Sequence, residues 1–277
     1  QQLPIFTLSE ILGIPEEDRQ KLVSWMEFLE LAQYFTYEMI KEQNEGKTDS
    51  SPDPAMIEMF NNMVDEMFDY GRFILKEKRK NPSDDLLSAI ANAEIEGKQL
   101  TDEFLDGSWL LIIFAGNDTT RNTISGGIKL LHENQKQKEL LMHDSELLPN
   151  FIHETIRCVS PVIHMRRTSL QETEIRGQRI GPFEKISLWY GAANRDPDIF
   201  ENPNEFNILR ENADKHLAFG IGRHTCLGKP IALMQLREFY SQFLTRFKDF
   251  ELNGEWKVAP NNFVHAIQEM PIKFTPE

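Results

Sequence analysis

Cysteine is scarce: the 277 residues hold only Cys158 and Cys226. Two cysteines can form one disulfide at most, and with nothing else suggesting secretion a reducing, cytoplasmic setting is expected. Positive charge is also short, with 30 Lys and Arg against 44 Asp and Glu and a net charge of −14. Nucleic-acid binders are usually basic overall, so no nucleic-acid partner is expected; a local basic patch for an acidic protein partner stays open. Long apolar runs are missing. The longest, Trp109 to Ala115, falls far short of a bilayer span, so no membrane helix is expected. The opening QQLPIFTLSEILG lacks the basic start and cleavage site of a signal peptide and reads as the middle of a folded protein. No internal repeat is visible. What remains is an ordinary globular composition, 40% hydrophobic and 27% charged, long enough for one large domain or two small ones.

Periodicity makes the first two thirds helical. Thr7-Leu8-Ser9-Glu10 has the capping-box pattern before an apolar stretch ending at Gly13. Pro15 and Glu16-Glu17-Asp18 open a second helix, with Leu22, Trp25, Met26 and Leu29 at helical spacing. A polar loop from Gln43 to Pro54 precedes a long amphipathic helix to Lys80, whose Met56, Phe60, Met63, Met67 and Phe68 share one face as core. Ser83 is a candidate cap for a helix over Asp84 to Glu94. Thr101 starts the most apolar helix, expected to run to about Glu133, with shorter ones over Lys136–Met142 and Ser145–Cys158. Beyond Pro161 the period shortens: Thr173–Ile180 and Lys185–Trp189 alternate like strands, with turns at Gly177 and Gly181-Pro182. A loop over Asn194 to Lys215, a helix over Leu227 to Phe247 and short terminal strands complete a mainly α chain with small β-sheets.

The run His216-Leu-Ala-Phe219-Gly220-Ile-Gly222-Arg-His224-Thr-Cys226-Leu-Gly228 carries the strongest chemical signal. Its glycines allow tight turns and close approach to a flat ligand, and a following helix can stabilise a thiolate with its positive end. Phe219 can shield the sulfur from water. Blander readings compete. A lone cysteine is most often a small buried hydrophobe. His216, His224 and Cys226 can bind zinc only with a fourth ligand that the pattern does not supply. A dinucleotide loop needs its third glycine at another spacing, inside a βαβ unit.

The same run resembles the cysteine-ligand loop of cytochromes P450: phenylalanine, glycines, a basic residue two before the cysteine and glycine two after it. Three further segments resemble that family. Ala115-Gly116-Asn117-Asp118-Thr119-Thr120 places polar groups inside an apolar helix, where they cost stability unless used. There the Thr119 hydroxyl can bond the Ala115 carbonyl and open a groove. The resemblance implies Thr119 as the proton-relay hydroxyl and Asp118 as its acidic partner. Glu154-Thr-Ile-Arg157 by itself is most often a surface salt bridge; the resemblance implies a structural triad of Glu154, Arg157 and Arg210. In Ser160-Pro161-Val162-Ile163-His164-Met165-Arg166-Arg167-Thr168 the resemblance implies Arg167, with His224, as contacts of the haem propionates; Arg166 reads better as exposed surface.

By this resemblance the fold is the C-terminal two thirds or so of a cytochrome P450, as one partial domain over 1–277. It divides into a helical part (1–158), a β-rich and loop region (159–215), the cysteine loop with its helix (216–247) and terminal strands (248–277). The implied cofactor is haem b on Cys226, with Ala115, Phe219, Gly220 and Gly228 against it. The implied reaction is hydroxylation of a small apolar substrate with O2, two electrons coming from a ferredoxin-type donor and its reductase. Lys215, Arg223, Lys229 and Arg237 form a docking patch for that donor or simply a solvated face. The Val159 to Arg167 stretch resembles that of steroid, sterol and terpenoid hydroxylases, and Leu110, Ile113, Val162, Ile163 and Phe263 are the expected pocket residues. The N-terminal sheet and early helices of the family are expected to be missing, and none of Trp25, Trp109, Trp189 or Trp256 replaces their propionate contact. The rival readings are a non-catalytic haem binder and an inactive fragment without a complete haem pocket.

Overall fold

Helix formers and apolar residues at helical spacing dominate the first 118 residues, and each helix ends where the backbone is given another option. In the computed structural model, residues 2–45, 53–247 and 249–275 are described, with side chains for all of these but 2, 29–40 and 43. The chain divides into two compact units, Gln1–Asp118 and Thr119–Glu277.

In the first unit, α1 spans Gln2–Leu12 and stops where Gly13 takes a left-handed φ of +64°. The expected capping box is not a cap. Thr7 and Ser9 lie inside α1, and their hydroxyls donate to the carbonyls of Leu3 and Ile5, one turn back, at 2.9 and 2.8 Å. A 3-10 turn at Glu16–Asp18 leads into α2, Arg19–Asn44; the expected core position Leu29 has its side chain outside the described residues. Then α3, Pro54–Lys80, opens with the Asp53 carboxylate accepting from Ala55 N at 2.9 Å. The Met-rich stripe is core only from its middle onward: Met67, Ile74 and Leu75 are buried, whereas Phe60 is exposed. The cap of α4, Leu86–Ala91, is Asp85 and not Ser83; its carboxylate accepts from Ser88 N at 2.7 Å. A hairpin of β1, Glu94–Ile95, and β2, Lys98–Gln99, turns at Glu96 and Gly97, both with positive φ. Last comes α5, Asp102–Ala115, capped by Thr101. An aromatic cluster of Trp25, Tyr70 and Trp109 fills the core, with ring centroids 5.4 to 6.3 Å apart. Trp109 donates its indole N–H to the Met67 carbonyl at 3.0 Å, and a Cβ on Gly71 would come within 2.5 Å of its ring.

The single helix expected from Thr101 to about Glu133 is two. Gly116 and Asn117 interrupt it, and α6 runs Asp118–Glu133. In the second unit α7, Gln135–His143, and α8, Leu148–Val159, follow, the latter ending at Ser160 with φ +44°. Two antiparallel ribbons come next. β3, His164–Thr168, pairs with β6, Lys185–Trp189, and between them β4, Thr173–Ile175, pairs with β5, Gln178–Ile180. A short helix α9, Tyr190–Ala193, gives way to the expected loop, which ends in a 3-10 turn at Ala213–Lys215. The last helix, α10, is Lys229–Arg246. It is followed by β7, Asp249–Leu252, paired with β10, Ile272–Thr275, and by β8, Lys257–Ala259, paired with β9, Ala266–Glu269. Tyr240 of α10 fixes the core of this unit. Its hydroxyl donates to the Ile124 carbonyl on α6 at 2.7 Å, and its ring meets Phe151 of α8 edge-on at 4.8 Å.

Candidate functional site

The cysteine loop is held by its backbone. Gly220 and Gly222 take φ of +69° and +73°, a region that costs other residues, and a Cβ on Gly220 would press to 3.3 Å from the His224 carbonyl. Cys226 N donates to the Phe219 carbonyl at 2.8 Å, closing the loop, and a 3-10 turn at Gly222–His224 lies inside it. Two residues beyond the cysteine, Gly228 caps α10, and its added Cβ would sit 3.9 Å from the Cys226 sulfur. Cys226 is exposed, as are two apolar residues of the same segment, Ile221 at 76% and Leu227 at 75% exposure.

The same unit holds a buried ionic centre. Glu154, on α8, takes two bonds from Arg157 one turn on, at 2.7 and 2.8 Å, and two from Arg210 Nε at 3.2 Å. Asn207 N adds a fifth at 2.9 Å. The arginines spend their other N–H groups on loop carbonyls: Arg157 on Asn194, Pro203 and Glu205, Arg210 on Glu201, Asn202 and Glu205. A buried pair with every donor satisfied escapes the usual penalty of an interior charge. The irregular 194–210 stretch is thus fastened to one helix. Asn194, which the sequence reading passed over, carries that order onward: its amide donates to Ser160 Oγ at 2.8 Å and its oxygen accepts from Leu217 N at 2.6 Å, at the start of the cysteine loop.

A glycine-built loop presenting a cysteine, with a buried Glu-Arg-Arg centre in the same unit, narrows the choice of family, and the family profile described as Cytochrome P450 matches residues 49–275. The chain belongs to the cytochrome P450 family. It is 34% identical to cytochrome P450-terp of Pseudomonas sp. over 98% of this chain and 62% of that one. Linalool 8-monooxygenase of Pseudomonas putida is 32% identical over 99% and 64%. CYP109E1 from Bacillus megaterium, solved in complex with testosterone, is 31% identical with a TM-score of 0.81, over 98% of this chain and 69% of that one. The chain therefore spans 62 to 64% of the length of the curated relatives named here. The mainly α cytochrome P450 fold with small β-sheets is established by this likeness.

Members of the cytochrome P450 family are haem-thiolate enzymes, and the residues present here fit that group. The exposed apolar Ile221 and Leu227 in the same segment suit a flat hydrophobic partner, and glycine at 220 and 222 lets the backbone turn as the loop requires. Arg167, half-buried on β3, donates from its guanidinium to the Arg166 carbonyl at 2.9 Å; among the described residues no carboxylate pairs with it. A guanidinium so placed can receive a propionate. Arg166, its neighbour, points to the other face of the ribbon and is exposed. His224 is exposed within the loop, and Phe219 and Gly220 are half-buried.

The remaining expected residues separate by unit. Asp118 closes the first unit and opens α6, with Asn117 donating its amide to the carboxylate at 3.2 Å. Asn117 is itself fully buried, and its amide oxygen lacks a partner among the described residues. Thr119 begins the second unit, and its carbonyl accepts from the Thr123 hydroxyl at 2.7 Å. Val162, Ile163 and Phe263 are brought together: Ile163 N donates to the Phe263 carbonyl at 2.8 Å, and Val162 bridges Val264. Leu110 and Ile113 lie on α5, in the first unit. Ile113 is buried in the core of the first unit and Leu110 packs against that core. The phase of α5 follows: Leu105, Trp109 and Ile113 repeat every four residues on the inner face, whereas Leu111 and Ala115 repeat on the exposed one.

Proposed function

We propose that the chain is the haem-thiolate part of a monooxygenase that hydroxylates a small apolar molecule, with Cys226 as the iron ligand. The reading is carried by the exposed Cys226 thiol in a loop whose backbone is fixed from Phe219 to Gly228. When bound, haem supplies activation of O2 and the oxidising power for the C–H bond. The protein's residues do the rest. Arg167 and His224 seat the propionates, and Phe219 keeps water from the sulfur. Asp118 and Thr119 stand at the helix break, where an acid next to a hydroxyl can pass protons inward. The Glu154, Arg157 and Arg210 centre holds the loop's foundation. We take the two units as parts of one haem-binding domain over 1–277.

For the substrate we propose a terpenoid or steroid. Linalool 8-monooxygenase among the relatives and the testosterone bound to CYP109E1 support that class, as do the apolar Val162, Ile163 and Phe263. Electrons come in this reading from a soluble ferredoxin-type donor and its reductase, docking at Lys215, Arg223, Lys229 and Arg237. Among the described residues no helix is long and apolar enough to cross a membrane. Two free thiols fit a reducing cytoplasm.

The test is the absorption spectrum of the reduced, carbon monoxide-treated protein beside a Cys226→Ala control. A strongly red-shifted band in the first and not in the second is the expected result. An unshifted band in both would make the chain a haem binder of another kind, and no haem uptake at all would make it an inactive piece.

A further inference from the structure

Two imidazoles, one buried and one half-buried, have no part in the roles assigned above. His216, 7% exposed, opens the run that leads to Cys226, and His153 sits on α8 directly before Glu154. Nδ1 of His153 and Nε2 of His216 are 3.3 Å apart. The proton positions follow from one donor whose identity is fixed. The backbone N–H of Ala218 reaches His216 Nδ1 at 3.3 Å, so Nδ1 must offer its lone pair and the neutral ring keeps its proton on Nε2. That N–H then donates to His153 Nδ1, which leaves the His153 proton on Nε2. Donation runs one way, from Ala218 through His216 to His153. A second proton on His216 has only Nδ1 to occupy, where it would meet the Ala218 N–H.

The same ring touches the cysteine loop itself. His216 packs on Phe219 with centroids 5.6 Å apart, and the Phe219 carbonyl holds Cys226 N at 2.8 Å. The charges around the pair come from three elements. Lys229 of α10 and Arg157 of α8 oppose a proton on His216, and Asp214 of the 3-10 turn favours one. At His153, Asp214 favours and Lys229 opposes. Burial outweighs them all and pushes His216 down to about 3, with His153 also below its ordinary value. An ordinary core histidine would need one satisfied nitrogen. Here both nitrogens of His216 are engaged, one by the loop and one by the helix that carries the Glu154 centre.

We propose that His153 and His216 are a positioning pair for Cys226, a neutral one-way hydrogen-bond chain that ties the backbone of the cysteine loop to α8. The tie concerns the loop's geometry, and it rests on Cys226 as haem ligand only for its meaning in catalysis.

The test uses the full chain without haem. Long-range 15N spectra between pH 8 and 5 should show His216 neutral throughout with its proton on Nε2 (the pH values span about the ordinary imidazole pKa). The rate at which an aromatic disulfide reagent modifies the exposed Cys226 reads the loop, since Cys158 is half-buried and burial holds its thiol protonated. His153→Leu removes the acceptor and should change that rate about fivefold, the equivalent of one lost hydrogen bond. His153→Asn, whose Oδ1 stands near the place of Nδ1 and does not titrate, should restore it. A proton found on His216 Nδ1, titration near the ordinary histidine value, or a thiol rate untouched by His153→Leu would each overturn the proposal. The tautomer needs only the unaltered chain, so it decides even if His153→Leu does not fold. Loss of the red-shifted carbon monoxide band in the unaltered, haem-loaded chain would count instead against Cys226 as ligand, and these results would stand apart from it.

Discussion

Glu154 is the residue on which most depends. Its carboxylate accepts from two arginines and from Asn207 N, so removing it leaves two guanidinium groups buried with no counter-charge. Glu154→Ala should therefore cost about 3 to 5 kcal/mol, read as a lower midpoint in urea unfolding; a change no larger than that of a surface substitution would mean that water replaces the carboxylate. Thr119 is proposed to serve the chemistry and not the stability. Thr119→Ala should lower turnover of an apolar substrate by about 100-fold while leaving the carbon monoxide band in place, as expected for loss of a proton relay. Equal turnover would remove Thr119 from the relay. Cys158 is the opposite case to Cys226. Burial, with Glu154 close by, pushes its thiol up to about 11, so it stays protonated and unreactive at neutral pH.

At the scale of elements, close helix approach depends on glycine. A Cβ on Gly127 of α6 would stand 2.0 Å from the Tyr240 hydroxyl of α10, and one on Gly126 2.5 Å from Val159 of α8. Gly127→Ala must push Tyr240 off its carbonyl partners, and overpacking of this kind costs about 1 to 3 kcal/mol. The check is thermal unfolding of Gly127→Ala beside Gly107→Ala, where a Cβ meets nothing within 4 Å and no such loss is expected. The break between α5 and α6 shows how far pattern reading goes at this scale. Apolar periodicity continues from Thr101 to Glu133 and predicts one helix. Gly116 and the buried Asn117 end it midway, because one supplies no side chain to pack and the other is tied to Asp118. Thr7 and Ser9 mislead in the same way: a hydroxyl can cap a helix or bond back within one, and only neighbouring turns decide which.

For the molecule as a whole, stability should fall in mild acid through His216. Its value drops from 6.5 to about 3 on folding, because burial and the neighbouring His153 and Lys229 disfavour the charged ring. Between those values the unfolded chain binds a proton that the folded chain refuses. This contribution is complete above pH 6.5 and is lost as pH falls toward 3, with a limiting slope of about 1.4 kcal/mol per pH unit for one proton. Urea midpoints measured from pH 7 downward should show that slope diminished in His216→Asn. An identical acid profile in that variant would place the acid sensitivity elsewhere.

The sequence by itself determined the family, the mainly α fold with small sheets and most of the alternation of helix and strand. Those rest on local patterns: glycines around Cys226, Glu154 and Arg157 one helical turn apart, and apolar residues at fixed spacing. What only the tertiary structure decided are the contacts between distant segments. Arg210 meets Glu154 across 56 positions and His216 meets His153 across 63, and no spacing rule reaches so far. The inner and outer faces of α5 were likewise invisible in composition. Leu110, Leu111 and Ile113 are equally apolar, and the aromatic core around Trp109 alone settles which of them turns inward. Local chemistry is written in the chain, whereas the choice of partner for a buried charge or an apolar face is made by packing.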